Sequence, residues 1–166
     1  MKKYLKAAMV MAVFSFFSLA CTQNQQASLA QSGALDITFT DLNRKTVSLA
    51  SFRDKHPVVL FFWTTWCPYC RREIRALNEK YASLKKEGWE ILTVDSGEGA
   101  HKVEAYANAN GIKLNLYLDE DMAISDALGV LGVPTYVIID KKGSIIAKTH
   151  TFSPEEYQQL TGDGSS

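Results

Sequence analysis

The feature that most constrains this chain is an apolar strand that leads directly into a pair of cysteines. Six consecutive apolar residues, Val58 to Trp63, have the length and composition of a strand that is buried on both faces. After three intervening residues comes the cysteine pair Cys67-Pro68-Tyr69-Cys70, and a helical pattern begins within the pair. A strand that runs into a helix in this way is typical of α/β folds, which carry their chemistry at the carboxyl edge of the sheet.

Further helical patterns follow the cysteine pair. Apolar residues at spacings of three and four predict a long helix over 71–87 that is ended by a glycine, and shorter helices over 103–110 and 122–128. Ser153-Pro154-Glu155-Glu156 has the form of a capping box with proline at the first helical position. This box predicts a last helix that continues through Leu160.

The β segments are short and lie between these helices. The predicted strands cover residues 36–40, 46–49, 58–63, 90–94, 114–118, 136–139 and 144–148. Turn residues join the first two and the last two of these strands, so each of these pairs is expected to form a hairpin. The alternation of strands and helices indicates a small α/β sandwich, with a central mixed sheet flanked by helices, over residues 34–166.

The cysteine pair has the arrangement that thiol–disulfide exchange requires. Cys67 would lie at the N-terminus of the helix, where unpaired N–H groups and the helix dipole favour a thiolate. Cys70 lies within the first turn, close enough to attack a mixed disulfide on Cys67. Pro68 is tolerated between them because its missing N–H would have no helical partner at this position. We therefore expect Cys67 to be the attacking nucleophile and Cys70 the resolving thiol.

Other uses of two cysteines fit less well. A structural zinc site needs four ligands, but there is no second cysteine pair, and the three histidines are scattered at 56, 101 and 150. Haem attachment would need a histidine after the second cysteine, where Arg71 stands. The sequence therefore predicts neither a metal nor any other cofactor.

Two separate motifs resemble those of the thioredoxin superfamily, in particular its exported TlpA/ResA branch. The segment Phe62 to Glu73 is similar to the active-site signature, and Gly132-Val133-Pro134-Thr135 resembles the loop that carries a cis-proline opposite the cysteines. The turn Asp140 to Gly143 fits the hairpin that follows this loop. The likeness covers about residues 35–161. It implies a thioredoxin-like sandwich with an N-terminal β-hairpin and a TlpA-type insert near residues 97–118.

The resemblance also implies which residues contact the substrate. In the family, the residue before the cis-proline offers its backbone to a substrate strand beside the disulfide, and here that residue is Val133. We therefore expect Val133 and Pro134 to contact substrate from one side, and Trp66, Pro68 and Tyr69 to contact it around the cysteines.

One carboxylate is expected to assist the exchange. Glu98 lies where ResA-type proteins place a glutamate near the disulfide, and there it could carry protons to or from Cys70. The buried aspartate that the superfamily usually has six residues before the first cysteine is replaced by Phe61, which leaves Glu98 as the remaining candidate. The alternative is a solvated glutamate in a loop. Arg75 stands where the family commonly has a proline that kinks the helix, so a kink is not expected here.

The N-terminus has the features of an export signal. Three lysines within the first six residues precede an uninterrupted stretch of apolar and small residues, Ala7 to Leu19, which is too short to span a bilayer comfortably. Small residues at Ser18 and Ala20 then suit cleavage before Cys21. Residues 1–20 are therefore interpreted as a signal peptide.

Cys21 decides between two forms of the mature protein. A cysteine directly after the cleavage point resembles the lipobox of bacterial lipoproteins, although Ser18 replaces the usual leucine. Thr22 to Gly33 is polar and uncharged, as expected of a flexible tether. We expect a lipid on Cys21 and a protein anchored to a bacterial membrane, facing the periplasm or the cell exterior. The alternative is ordinary cleavage, which would release a soluble protein.

The charge balance limits the partners. The chain has 18 basic and 18 acidic residues, so it shows no electrostatic footprint for nucleic acid. By resemblance, we expect a monomeric thiol–disulfide oxidoreductase that reduces disulfides of exported proteins, with apocytochrome c as one candidate client and a membrane thiol–disulfide protein as electron donor. The alternatives are a thiol peroxidase of the AhpC/TSA type and a non-enzymatic copper- or protein-binding module.

Overall fold

The computed structural model describes residues 37–161. The predicted signal peptide, Cys21 and the tether up to Gly33 lie outside these residues, as do 34–36 and 162–166 at the ends of the predicted domain. Within the described part, no helix is both long enough and apolar enough to cross a membrane.

Seven strands within the described residues form one mixed sheet. They are β1 Thr38–Asp41, β2 Thr46–Ser48, β3 Val58–Trp63, β4 Glu90–Ser96, β5 Leu116–Asp119, β6 Thr135–Ile139 and β7 Ile145–Thr149. Their order across the sheet is β2-β1-β5-β4-β3-β6-β7. Strands β3, β4 and β5 are parallel, and all other neighbours are antiparallel. The mixed sheet and the N-terminal hairpin β1–β2 confirm the predicted fold, whereas the TlpA-type insert stays a prediction.

The helices connect these strands and cover both faces of the sheet. They are α1 Pro68–Lys86, α2 Ala100–Asn110, α3 Ala123–Ala127 and α4 Pro154–Tyr157, with a 3-10 helix at Leu49–Phe52. Side chains of α1, α2 and α4 belong to the core on one face, whereas the 3-10 helix and the end of α3 pack on the other. Because β3–α1–β4 and β4–α2–β5 are parallel crossovers running in the same direction along the sheet, both place their helix on the same face.

Strand β3 lies at the centre because both of its faces are apolar. All six of its residues are buried, with Val59, Phe61 and Trp63 on the face covered by α1 and their neighbours on the other. Helix α1 ends as its glycine predicts: Gly88 has φ +88°, and the N–H groups of Gly88 and Trp89 bond the carbonyls of Lys85 and Leu84. Strand β3 is therefore a central strand of the core, and α1 returns the chain to the start of its neighbour β4.

The last helix differs from its prediction. It ends at Tyr157 rather than continuing through Leu160, and the Ser153 side chain makes no capping hydrogen bond. Pro154 and Tyr157 are buried, and the Tyr157 ring stacks on Phe152. Packing of this single turn onto the core, and not the capping box, therefore holds the helix in place.

Other boundaries shift by one to three residues. Helix α1 begins at Pro68, before the predicted start, and runs as one helix past Arg75. Helix α2 begins at Ala100 instead of 103, and β5 begins at Leu116 instead of 114. Such differences are normal at element ends, where a few hydrogen bonds decide the assignment.

Candidate active site

The two cysteines occupy the start of α1 and are joined by a disulfide. Cys67 is the residue that caps the helix, and its Sγ atom accepts a hydrogen bond from the backbone N–H of Cys70 at 3.2 Å. The Cys67 side chain is 5% exposed and that of Cys70 is fully buried. Cys67 is thus the more exposed of the two cysteines, and its role as attacking nucleophile, with Cys70 as resolving thiol, stays a prediction.

The proline loop faces the disulfide. The Val133–Pro134 peptide bond is cis, as the resemblance implied. The carbonyl oxygen of Val133 lies 3.9 Å from Cys67 Sγ. Thr135 Oγ1 closes the loop by donating a hydrogen bond to the Gly132 carbonyl at 2.7 Å. Two segments far apart in the sequence thus meet at the disulfide, next to Cys67 Sγ.

A histidine that the sequence analysis did not select also belongs to this loop. His150 lies just after β7, and its Nδ1 atom is 2.6 Å from the carbonyl oxygen of Pro134. Its ring is exposed. The hairpin pairing of β6 with β7 brings it there, and no local motif marks it.

Exposed apolar side chains surround the disulfide. Trp66 and Tyr69 are each 63% exposed, and Pro68 between them is also exposed. Leu131, which the sequence analysis did not select, is completely exposed at the start of the proline loop. The guanidinium of Arg72 lies 5.4 Å from the centre of the Tyr69 ring, an arrangement that holds the ring in place. Exposed apolar side chains of this size mark a contact surface.

Glu98 is buried beside the segment that leads into Cys67. After β4, Gly97 adopts φ +84° and turns the chain so that Glu98 points back toward the sheet edge. Its carboxylate accepts hydrogen bonds from the backbone N–H of Thr65 at 2.5 Å and from the Thr65 hydroxyl at 2.9 Å. Lys102 Nζ lies 2.5 Å from the same carboxylate. Glu98 is only 6% exposed, so it is not the solvated loop residue that was the alternative.

These contacts determine the charge of Glu98. Burial acts to raise its pKa, but hydrogen bonds from Lys102, Thr65 and Asp95 outweigh burial and leave the pKa below its usual value. Glu98 is therefore ionised at neutral pH. Its carboxylate links Thr65, two residues before Cys67, to Lys102 in the first turn of α2.

Asp95 is a buried carboxyl group that the sequence analysis does not select, since it directly follows the predicted strand 90–94. In the structure it lies inside β4 and is fully buried. Its Oδ1 atom accepts a hydrogen bond from the Glu98 N–H at 3.1 Å. Burial and the negative charge of Glu98 raise the pKa of Asp95 to about 8. The alternation of Ile91, Thr93 and Asp95 along one face of a strand is the signal that could have found it.

A second carboxylate lies on α1 below the cysteines. Glu73 is half-buried and accepts a hydrogen bond from the hydroxyl of Tyr136 at 3.0 Å. Burial, together with the charge of Glu73, raises the pKa of Tyr136, so this phenol stays protonated and donates the bond. The contact links the first turns of α1 to β6, the strand that follows the proline loop.

No group of three or more histidine, cysteine, aspartate or glutamate side chains in residues 37–161 is arranged to hold a metal ion. The chemistry that the described groups offer is that of two sulfurs, a proline loop and buried carboxyl groups. This set can make and break a disulfide.

Comparison with known proteins agrees with this chemistry. Residues 30–148 match the AhpC/TSA family. The chain is 36% identical over 129 residues to the thiol-disulfide oxidoreductase ResA of Geobacillus thermodenitrificans, an alignment that covers 77% of this chain and 74% of that protein.

Two solved structures share the fold. The thioredoxin domain of a thiol-disulfide oxidoreductase from Bacteroides vulgatus is 25% identical, with a TM-score of 0.62 over 75% of this chain and 89% of that one. A secreted disulfide oxidoreductase of Mycobacterium tuberculosis, homologous to DsbE of E. coli, is 23% identical, with a TM-score of 0.63 over 78% and 94%. The chain therefore belongs to the AhpC/TSA family, with a thioredoxin-like fold, and within it to the ResA-type thiol-disulfide oxidoreductases.

Proposed function

We propose that this oxidoreductase is exported, is tethered to a membrane through Cys21, and reduces disulfides in other exported proteins. The observation that carries the proposal is the disulfide at the start of α1, with Cys67 next to the proline loop and an exposed apolar rim around it. Apocytochrome c is a candidate client, and a membrane thiol–disulfide protein is the electron donor that the reduced form requires.

The reaction proceeds by two exchanges. In the reduced protein, the Cys67 thiolate attacks one sulfur of the client disulfide, and the other client sulfur leaves as a thiolate that takes up a proton. Cys70 then loses its proton and attacks Cys67 Sγ. This second attack closes the Cys67–Cys70 bond and releases the remaining client sulfur. Two electrons have moved to the client, and the donor later returns two electrons to the pair.

The surroundings of the disulfide suit an extended client segment. The backbone of Val133 is available beside Cys67, and Pro134 supplies the bend that presents it. Trp66, Pro68 and Tyr69 flank the cysteines in the sequence, are exposed and offer apolar surface. We propose these five residues as the client-binding surface.

Glu98 is proposed as a positioning residue. Its carboxylate holds both the N–H and the hydroxyl of Thr65, which fixes the segment that carries Cys67. Because its pKa is lowered, Glu98 has no proton to donate at neutral pH. Transfer of a proton to or from Cys70 through Glu98, as expected from the sequence, stays a prediction, and it requires Glu98 to act as the acceptor.

The redox assignment is tested by two matched serine variants and an insulin-type disulfide substrate. Cys67→Ser is expected to abolish reduction, because no attacking thiolate remains. Cys70→Ser is expected to accumulate mixed disulfides through Cys67, because no thiol resolves them. Equal trapping of partners by both variants, seen on non-reducing gels, would contradict the assigned roles. A reduction potential close to that of a strong oxidant such as DsbA would contradict the reductase direction.

The membrane tether is tested separately. If Cys21 carries lipid chains, each buried methylene adds about 0.8 kcal/mol, and two or more chains anchor a protein stably. The protein should then fractionate with membranes in high salt, and Cys21→Ala should block this processing. Wild-type protein that is wholly soluble, with an unmodified Cys21 in its mass spectrum, would contradict the tether and leave the redox assignment intact.

A thiol peroxidase is the second candidate, because the family match is to AhpC/TSA proteins. Thr64 stands three residues before Cys67, the Thr-x-x-Cys spacing of peroxidatic cysteines in that group. The presence of Cys70 in a disulfide with Cys67 favours exchange instead. Consumption of peroxide by the pure reduced protein, at a rate that exceeds its exchange with disulfides, would favour the peroxidase.

A further inference from the structure

Asp95 is a buried carboxyl group that takes no part in the two exchange steps of Cys67 and Cys70. Its side chain is fully buried near the end of β4. Oδ1 accepts one hydrogen bond, from the Glu98 N–H, whereas Oδ2 accepts none, and the carboxyl group is within hydrogen-bond reach of the Glu98 carboxylate. A buried carboxylate beside a second carboxylate is costly, whereas a protonated Asp95 can donate a hydrogen bond to that neighbour. The geometry thus favours an Asp95 that carries a proton.

Asp95 lies on the same face of the sheet as the cysteines. It pairs in register with Trp63, the last residue of β3, so the two side chains point to the same face. Trp63 belongs to the core cluster that contains Cys67 and Cys70. The disulfide and the Asp95 carboxyl are therefore buried on one face, at the edge where β3 and β4 end.

Two further polar atoms without partners lie on this face. The Trp63 Nε1 atom and the Tyr106 hydroxyl are buried without hydrogen bonds, and their rings are 5.4 Å apart. With Asp95 as a carboxylate, only four buried side-chain nitrogen or oxygen atoms in residues 37–161 lack a hydrogen bond, and three of them belong to Trp63, Asp95 and Tyr106. Buried polar groups of this kind are rare and need an explanation, and here three of them share the face of the sheet that carries the cysteines.

Opening the disulfide creates a need for a proton at a site that solvent does not contact. When a reductant attacks Cys67 Sγ, the electron pair of the S–S bond passes to Cys70, which becomes a thiolate. Cys70 has no exposed surface. A buried thiolate is unfavourable, so the step is completed only when Cys70 gains a proton.

We propose that Asp95 is the proton store of this disulfide: it holds a proton while the Cys67–Cys70 bond is closed and passes it to Cys70 when the bond opens. The reductant forms a mixed disulfide with Cys67, the Cys70 thiolate takes the Asp95 proton, and Asp95 becomes ionised. The second thiol of the reductant loses its proton to solvent and displaces the Cys67 thiolate. In the reverse direction, Cys70 returns its proton to Asp95 as it attacks the mixed disulfide.

The charged groups that face Asp95 fit this role. Glu98 is ionised, and its negative charge disfavours a second charge on Asp95. Lys102, on α2, lowers the pKa of Asp95, but its ammonium group forms an ion pair with Glu98. Tyr106 reaches the same face from α2, and the cysteines reach it from α1. The raised pKa keeps Asp95 protonated at neutral pH in the disulfide form.

The inference rests on the redox role of the cysteine pair, but not on the client or on the direction of transfer. It is tested with the full chain in its disulfide form, reduced by dithiothreitol and followed by tryptophan fluorescence in single-turnover experiments from pH 5 to pH 10. The rate is divided by the concentration of reductant thiolate. For the wild type, this corrected rate is expected to fall above about pH 8, where Asp95 loses its proton.

Asp95→Asn keeps the acceptor for the Glu98 N–H but carries no proton to transfer. We expect the fall above pH 8 to vanish and the corrected rate at neutral pH to drop about tenfold or more. Asp119→Asn, which changes another buried aspartate near the end of a strand, should keep the wild-type profile. An Asp95→Asn protein with the wild-type inflection would contradict the proton store alone. A wild-type protein that dithiothreitol does not reduce would contradict the redox function itself.

A second measurement does not depend on the folding of the variant. The carboxyl carbon of Asp95 can be titrated by NMR in the wild-type protein, once as the disulfide and once as the dithiol. If Asp95 and Cys70 exchange a proton, their titrations are coupled, and reduction must shift that of Asp95. Identical curves in the two redox states would overturn the proposal.

Discussion

Two buried aspartates stand near the ends of neighbouring parallel strands, yet the protein uses them differently. Asp95 near the end of β4 is fully buried, and Asp119 at the end of β5 is 2% exposed. Asp95 pairs with Leu118 and Asp119 pairs with Ser96, so the two carboxyl groups lie on opposite faces of the sheet. Asp95 faces the cysteines, and Asp119 faces α3.

The hydrogen bonds separate the two cases. The Asp119 carboxylate accepts bonds from the Ile124 N–H at 2.9 Å, the Ser125 N–H at 2.8 Å and the Ser125 hydroxyl at 2.7 Å. Both of its oxygens are used to hold the start of α3. Asp95 accepts one hydrogen bond, and its other neighbour is the Glu98 carboxylate, to which it can donate only when protonated. The contrast between the two aspartates therefore lies in their hydrogen bonds and not in burial, because those of Asp95 favour the protonated form.

The largest expected effect concerns the dependence of stability on pH. The unfolded chain loses the Asp95 proton near pH 3.8, whereas the native protein keeps it up to about pH 8. Between these values the native state binds more protons, so the free energy of unfolding of the wild type falls as pH rises. Compared with that of Asp95→Asn, the free energy of unfolding of the wild type should fall by up to about 1.4 kcal/mol per pH unit. Urea denaturation of the disulfide forms of both proteins at pH 5, 6, 7 and 8 measures this difference. If the free energies of unfolding of the wild type and Asp95→Asn depend on pH in the same way, the contrast with Asp119 is wrong.

Asp119→Asn should have a smaller effect that is purely structural. The amide places N–H donors where the backbone and hydroxyl of Ser125 also donate, so at least one hydrogen bond is lost. We expect the free energy of unfolding to fall by about 2–3 kcal/mol, as for a buried bond to a charged group. The corrected rate of disulfide reduction should not change. A tenfold slower reduction in this variant would erase the distinction between the two aspartates.

Glu98→Gln tests how Asp95 acquires its properties. Losing the charge weakens the hold on Thr65, which should lower the free energy of unfolding by about 1–2 kcal/mol and slow exchange several-fold. Without the negative neighbour, the pKa of Asp95 should fall, so the inflection in the rate of reduction should move below pH 8. A wild-type rate and inflection in this variant would show that Glu98 neither positions Cys67 nor acts on Asp95.

Lys102→Met should have the smallest effect. The lysine side chain is 60% exposed, so its ion pair with Glu98 is expected to contribute less than about 1 kcal/mol. Lys102 lowers the pKa of Asp95, and its removal should therefore move the inflection slightly above pH 8, opposite to Glu98→Gln. Shifts in the same direction for both variants, measured in the same reduction assay, would rule out direct electrostatic action on Asp95.

Local patterns were enough to predict the cysteine chemistry and the outline of the fold. The six-residue apolar run Val58 to Trp63 has the length and composition of a buried strand, and Cys67 follows it at the start of a helix. The proline loop was found through its resemblance, since Gly132 to Thr135 alone is compatible with an ordinary turn. The capping box at Ser153 predicted a longer helix than the structure has, because packing and not the cap holds that helix in place.

The tertiary structure alone decided which polar groups share the site. Asp95 directly follows an apolar run, and nothing next to it in the sequence shows that it lies on the face of the sheet that carries Cys70. His150 reaches the proline loop only because β7 pairs with β6. Periodicity and spacing report on neighbours along the chain, and so they determined the strands, the helices and the reactive pair. Burial, pKa and unpaired hydrogen bonds depend on groups far apart in the sequence, so only the folded arrangement could assign them.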